Sequence, residues 1–378
     1  MRLYSIFSFI VIMVLPFIHS CGHGNTVSHN DGGDTISLKY ARNIVMVDYG
    51  DYLVATLRNP WDTTKVLHTY VLVPDSIEPE GIPQGTVIRT PLTNAVVYAA
   101  THNALISELG AAKAVTGVCD PQYIHDSIIV DRLKRGLVID CGDNMSPNLE
   151  KIMQLHPQAV LLSPYEGNNG YGKLSKLGIP IVECADYMES SPLARAEWMK
   201  FFGRLVGRSD EADSLFALTD SVYNSLKGLS AMSPARPRVL LDRMYGSVWN
   251  VPGAHSTMDQ MIEDAGGKNI FGYIDKAGSA PLSPEQVLNE AYDADVWLIR
   301  YNQPDDLTYA QLGKDNTIYK QFAPYKNGNV YGCNTNKANL YDVMPFHPQL
   351  ILADMISVLH PEIDLPEHNF SYFVPLLP

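Results

Sequence analysis

Arg243 and Arg300 each follow a short apolar run, VLLD and VWLI, and each stands within two residues of a tyrosine. A guanidinium can pair bidentately with carboxylate, hydroxamate or catecholate oxygens, and a nearby ring offers a flat apolar surface. Tyr123, Met145, Tyr165, Tyr245, Trp249, Tyr301 and the amide Asn334 likewise come just after strand-like runs. Together they suit a large planar or chelated ligand with apolar faces and some negative edges. Two arginines match a hydroxamate-type siderophore or a corrinoid better than a strongly anionic catecholate complex. Trp249 and Arg300 are expected to be replaceable by alanine with loss of binding but almost no change in melting temperature.

Covalent chemistry lacks its spacings. No GxSxG, HExxH, Walker A or GxGxxG pattern occurs, so an enzyme is not expected, a hydrolase is a remote alternative, and no resident cofactor or metal is anticipated. His102, His125, His156, His255 and His347 are scattered, whereas a free-ion site needs three or four convergent ligands; capture of a free metal ion is therefore a secondary reading. Cys119, Cys141, Cys184 and Cys333 form no CxxC. The first three each close an apolar run and could meet at one sheet edge, either as a disulfide in an oxidising compartment or as buried thiols.

The amino-terminal run IFSFIVIMVLPFI follows a single charge, Arg2, and is too short for a membrane span, which needs roughly 20 apolar residues. Residues 1–20 read as a secretory signal ending at Cys21, which resembles a lipobox cysteine, so residues 21–35 become a flexible tether. Loss of residues 1–20 would take one arginine and no acid from 28 basic and 41 acidic residues, moving the net charge from −13 to −14. Nucleic acid is thereby excluded as a partner; an exported, lipid-anchored monomer of the cell envelope or periplasm is expected.

The elements that would position these residues are α/β. Residues 36–74 alternate in NIVMVD, YLVATLR and KVLHTYVLVP, the pattern of an antiparallel meander. TVIRT then reads as the first strand of a parallel sheet, and NAVVYAATHNALISELGA has helical spacing. Strand and helix runs alternate from there, which predicts right-handed crossovers. Residues 192–229 carry helical periodicity and separate an amino-terminal lobe (36–191) from a carboxyl-terminal lobe (230–378). Ligands of open parallel sheets lie beyond the strands' carboxyl ends, a rule that also nominates Pro91 to Thr93, Asp120, Gly142, Pro164, Glu166, Met244, Asn302 and Tyr341. A continuous helix between the lobes predicts a small hinge motion.

The order of TVIRTPLTNAVVYAATHNALISELGAAKAVTGVCD, SPNLEKIMQLHPQAVLLS, LSKLGIPIVEC, MDQMIEDAGGKNIF and SPEQVLNEAYDADVWLI resembles the periplasmic binding proteins of cobalamin and ferric-siderophore ABC importers. The resemblance covers roughly residues 86–360. It implies two α/β lobes on a long helical linker, a metal chelate in the cleft between them, and a membrane permease as partner. It also implies that Glu150 in NLEKI and Glu285 in SPEQV each dock into an arginine-lined socket of that permease. Each glutamate is expected near the start of a helix behind a serine cap and a proline, Ser146–Pro147 and Ser283–Pro284.

Overall fold

The computed structural model describes residues 32–167, 170–365 and 372–378; Cys21 and nearly all of the tether lie outside them. Gly33–Pro378 form one compact unit. Asp34–Thr35 (β1), Ile44–Asp48 (β2), Leu53–Arg58 (β3) and Val66–Pro74 (β4) pair antiparallel in that order. The expected meander is present, but Thr86–Thr90 (β5) joins it, lying parallel to β4. TVIRT is thus the edge of this first sheet, a correction to its expected place. Consequently Leu92 is core, and Thr93 donates its amide to the side chain of Gln158, just before the amino end of the strand Ala159–Leu162, so Pro91 to Thr93 lie outside the ligand rim.

The first parallel sheet starts at Ala95–Val97 (β6), in a stretch whose spacing suggested helix; Ala100–Glu108 (α1) follows. Val115–Val118 (β7), Ser127–Lys134 (α2), Ile139–Asp140 (β8), the short antiparallel pair Gly142–Asp143 (β9) and Ser146–Pro147 (β10), Leu149–Leu155 (α3), Ala159–Leu162 (β11) and Ile181–Glu183 (β12) complete the lobe. The strand order is β12-β11-β6-β7-β8. Asn148, rather than Ser146, caps α3, accepting the Lys151 amide, because Ser146 and Pro147 are taken up in β10.

Residues 192–229 do not form one helix. Pro192–Glu197 (α4), Met199–Leu205 (α5) and Ser209–Ser230 (α6) follow one another, and Gly203 lets α5 fold back on α6, since a β-carbon there would overlap that of Ala212. Only α6, about 33 Å long at 1.5 Å per residue, acts as a strut. Ala212 and Phe216 pack into the first core, Tyr223 and Leu226 into the second.

The second sheet comprises Arg238–Leu241 (β13), Lys268–Asn269 (β15), Val296–Tyr301 (β17), Val330–Asn334 (β18) and Val374–Pro375 (β19), in the order β15-β13-β17-β18-β19. Trp249–Pro252 (β14) pairs with Ser279–Leu282 (β16) as a separate ribbon. Thr257–Asp264 (α7), Pro284–Ala291 (α8), Tyr309–Asp315 (α9), Ala323–Asn327 (α10), Leu340–Val343 (α11) and Pro348–Leu359 (α12) flank them. Ser283 caps α8 in a complete capping box with Gln286, as its sequence suggested.

Residues 39–43 run along the joint between the sheets. The buried Glu197 carboxylate accepts the backbone amides of Lys39, Tyr40 and Ala41, and Glu189 accepts those of Arg42 and Asn43 as well as the Trp198 indole. Tyr40 touches both cores, with its hydroxyl 2.6 Å from Asp220 Oδ1 on α6. All four described cysteines are buried free thiols; burial pushes Cys141 up to about 11.

Candidate functional site

The sheets β12-β11-β6-β7-β8 and β15-β13-β17-β18-β19, parallel apart from the antiparallel edge strand β19, each change direction of winding once: between β6 and β11 in the first, and between β13 and β17 in the second. At such a switch point the loops leaving neighbouring strands diverge and open a crevice. Ala99 and Ser163 follow β6 and β11, and Asp242–Arg243 and Asn302 follow β13 and β17; all line one cavity of about 1170 Å³ between the sheets. Two topological crevices thus face each other.

Its polar wall is built from paired charges. Asp242 closes β13 in a left-handed conformation, φ 58°, which aspartate tolerates better than most residues. Its carboxylate accepts Arg300 Nε at 3.0 Å and Nη2 at 2.5 Å, and its carbonyl accepts the Trp297 indole. Arg243 is held by Asp315 at 2.7 Å. Arg195, at the base of the cavity, donates Nε to Asp186 at 3.0 Å, whose other oxygen lies 2.9 Å from His102 Nε2. Asp186 and His102 are both buried, the imidazole lying against the Phe202 and Phe346 rings. Burial by itself would raise the Asp186 pKa, but His102 and Arg195 outweigh it and hold the carboxyl below its ordinary range. Each cleft arginine therefore already has a carboxylate partner.

Apolar surface comes from Tyr123 and Tyr245, 59% and 87% exposed, and from Tyr341, Met244 and Met344. Met145 and Tyr165 line a second recess of about 380 Å³ that shares Ala99 and Ser163 with the main cavity. Of the nominated residues, the fold brings Tyr123, Arg243, Met244, Tyr245, Arg300, Asn302 and Tyr341 to the main cavity, and Met145 with Tyr165 to its annex.

Three do not serve as expected. Trp249 is fully buried, its Nε1 donating to the Leu241 carbonyl and its ring stacked 5.7 Å from Trp297. Along β14 it is the neighbouring Asn250 that reaches the cavity, because successive strand residues face opposite sides. Tyr301 touches the cavity edge, but it is 7% exposed, packs against Gly332 and accepts the Leu307 amide on its hydroxyl. Asn334 is buried too, and ties the Gln303 and Asn336 amides to the Asp305 carbonyl.

The cavity also contains residues that the sequence did not flag. Arg195 lies in the stretch expected as linker, and Asp342 and Thr101 carried no local signal. His125 sits two residues beyond Tyr123 and could have been nominated with it. Asp342, on α11, accepts His125 Nδ1 at 3.1 Å, and its carbonyl accepts the Thr101 hydroxyl at 3.3 Å, so the two halves touch at the cavity wall. His347 Nε2 and Glu108 Oε2 make a further contact at 2.7 Å. Burial raises the Asp342 carboxyl, while His125 pulls it partly back. Glu150 and Glu285 are both exposed, in the first turns of α3 and α8. Among the described residues no group of three or more His, Cys, Asp or Glu could hold a metal ion, and no helix is long and apolar enough to cross a membrane.

Residues 96–336 match the family model described as periplasmic binding protein. An uncharacterised lipoprotein of Methanocaldococcus jannaschii is 28% identical, the match covering 86% of this chain and 82% of the relative. A cobalamin-binding protein of Halobacterium salinarum is 26% identical over 61% of this chain and 60% of its own. Among solved structures, an ABC-type ferric-hydroxamate transport protein of Saccharomonospora viridis superposes with a TM-score of 0.56 at 18% identity, over 71% of this chain and 94% of that one.

Proposed function

The chain belongs to the periplasmic binding protein family, and on that premise we propose that it captures a large, weakly charged metal chelate, a ferric hydroxamate or a corrinoid, for an ABC importer. The observation that carries this reading is a cavity of about 1170 Å³ whose arginines are already neutralised. The volume exceeds the roughly 300–1,000 Å³ of ordinary drug-sized sites, and an anionic ligand would have to compete with Asp186, Asp242 and Asp315 for its cations. The names of the cobalamin-binding and ferric-hydroxamate relatives point the same way. The lipoprotein name of the Methanocaldococcus relative supports acylation at Cys21 and an envelope location.

Titration calorimetry with aquacobinamide, ferrioxamine B and a ferric catecholate tests the reading. At least one of the first two is expected to bind in the micromolar range or tighter, and the catecholate at least tenfold more weakly. The reverse order, or no binding of any of the three, would sink it.

Asp242→Asn probes the charge balance directly. Asparagine keeps the left-handed backbone available but removes the charge facing Arg300. Affinity for the ferric catecholate is expected to rise at least tenfold relative to the hydroxamate; an unchanged ratio would show that Arg300 does not face the ligand.

Glu150 and Glu285 would orient the protein on its permease through charge pairing at each lobe. Reversing both to lysine is expected to abolish uptake in cells with calorimetric affinity unchanged. Normal uptake by the double variant would remove them from docking.

A further inference from the structure

We propose that His125 is an axial donor to the metal of the cleft chelate, set in place by Asp342 from the opposite half of the molecule. This inference rests on the binding function proposed above and narrows its substrates to chelates whose metal keeps an exchangeable axial position.

The His125 imidazole lines the cavity and is about a third exposed, its backbone amide and Nδ1 both directed at Asp342 Oδ2, at 3.3 and 3.1 Å. Ionised Asp342 fixes the proton on Nδ1. The Nε2 lone pair is then free, and Nε2 makes no hydrogen bond among the described residues. A carboxylate on the far nitrogen is how proteins fix the tautomer and raise the basicity of a ligating imidazole. The loop that carries His125 is closed independently of this pair, by the Ile124 amide bonding to the Pro121 carbonyl.

The two members come from different halves, His125 from the loop after β7 and Asp342 from α11. The imidazole is therefore oriented only when the halves are apposed as they are here, so coordination and closure favour each other, each by the same free energy. The exchange is balanced: one metal-bound water leaves, the Nε2 lone pair enters, and neither the oxidation state nor the proton count changes.

Aquacobinamide, with exchangeable axial water, and ferrioxamine B, whose iron is saturated by its own hydroxamates, separate the possibilities. Wild-type protein is expected to shift the visible bands of aquacobinamide. His125→Ala should lose the shift and bind at least tenfold more weakly, and free imidazole should restore the shift to His125→Gly. Asp342→Ala should retain the shift with affinity reduced about 10- to 100-fold, the usual effect of removing such a partner. Any binding of ferrioxamine B should be indifferent to all three changes. Binding of aquacobinamide to wild type without a shift, or equally tight binding by His125→Ala, would overturn the inference and leave the proposed function standing. Failure of both probes to bind wild type would instead overturn the function itself.

Discussion

Trp249→Ala is expected to lower the stability of the empty protein by about 3–5 kcal/mol, the range for removing a buried aromatic side chain. The indole is enclosed by Trp297, Tyr319 and Phe322, and its N–H is spent on the Leu241 carbonyl. Alanine would therefore leave both a void and a carbonyl without its donor. Unfolding entropy of about 2.1 cal/mol/K per residue, over roughly 340 residues, turns that loss into a melting-temperature drop of about 4–7 °C. Ligand affinity should fall little in the fraction that remains folded, because Asn250 holds the cavity position. Differential scanning calorimetry beside ligand titration checks both parts. An unshifted melting temperature with lost binding would return Trp249 to the cleft.

Asp186→Ala should cost as much, about 3–5 kcal/mol, because one carboxylate now serves both the Arg195 charge and the His102 imidazole, and its loss leaves the guanidinium uncompensated. His102 would be left buried with neither ring nitrogen bonded, and Arg195 would stand unpaired at the base of the cavity. The effect carries a pH signature. The folded-state pKa of Asp186 lies below its ordinary value, so its contribution is present above the unfolded-state pKa, about 3.9, and is lost as pH falls below it. The gap between wild type and variant in urea titrations should therefore be widest near neutral pH and narrow below about pH 4. A gap that does not change with pH would mean that the site is held by packing alone.

Much of this architecture was legible because it is written in periodicity. The meander, the crossovers and most second-half elements leave alternating or helical patterns that survive without tertiary context. What failed did so for local reasons. Only Tyr98 and Ala99 separate the three residues of β6 from α1, and so short a strand has no period of its own to announce it. The fold-back between α5 and α6 depends on Gly203 meeting Ala212, a contact rather than a pattern. In the site, the rule that ligands sit beyond strand ends located the cavity from Arg243 and Arg300, yet it could not say which side of β14 faces it. A displacement of one residue separates Trp249 in the core from Asn250 in the cleft. The pairings of Arg195 and Asp342 were invisible because their partners lie 9 and 217 residues away, whereas His125, two residues beyond Tyr123, was within reach of the strand-end rule.

The lacing of residues 39–43 by Glu197 and Glu189 has a mechanical side. Tension drawn along the polypeptide from its amino-terminal direction would meet five backbone amides held by two interior acids before it reached β2 through the chain. Such a pull is borne where the sheets meet, at α4 and the turn before it, and β2 to β5 are shielded from being peeled apart.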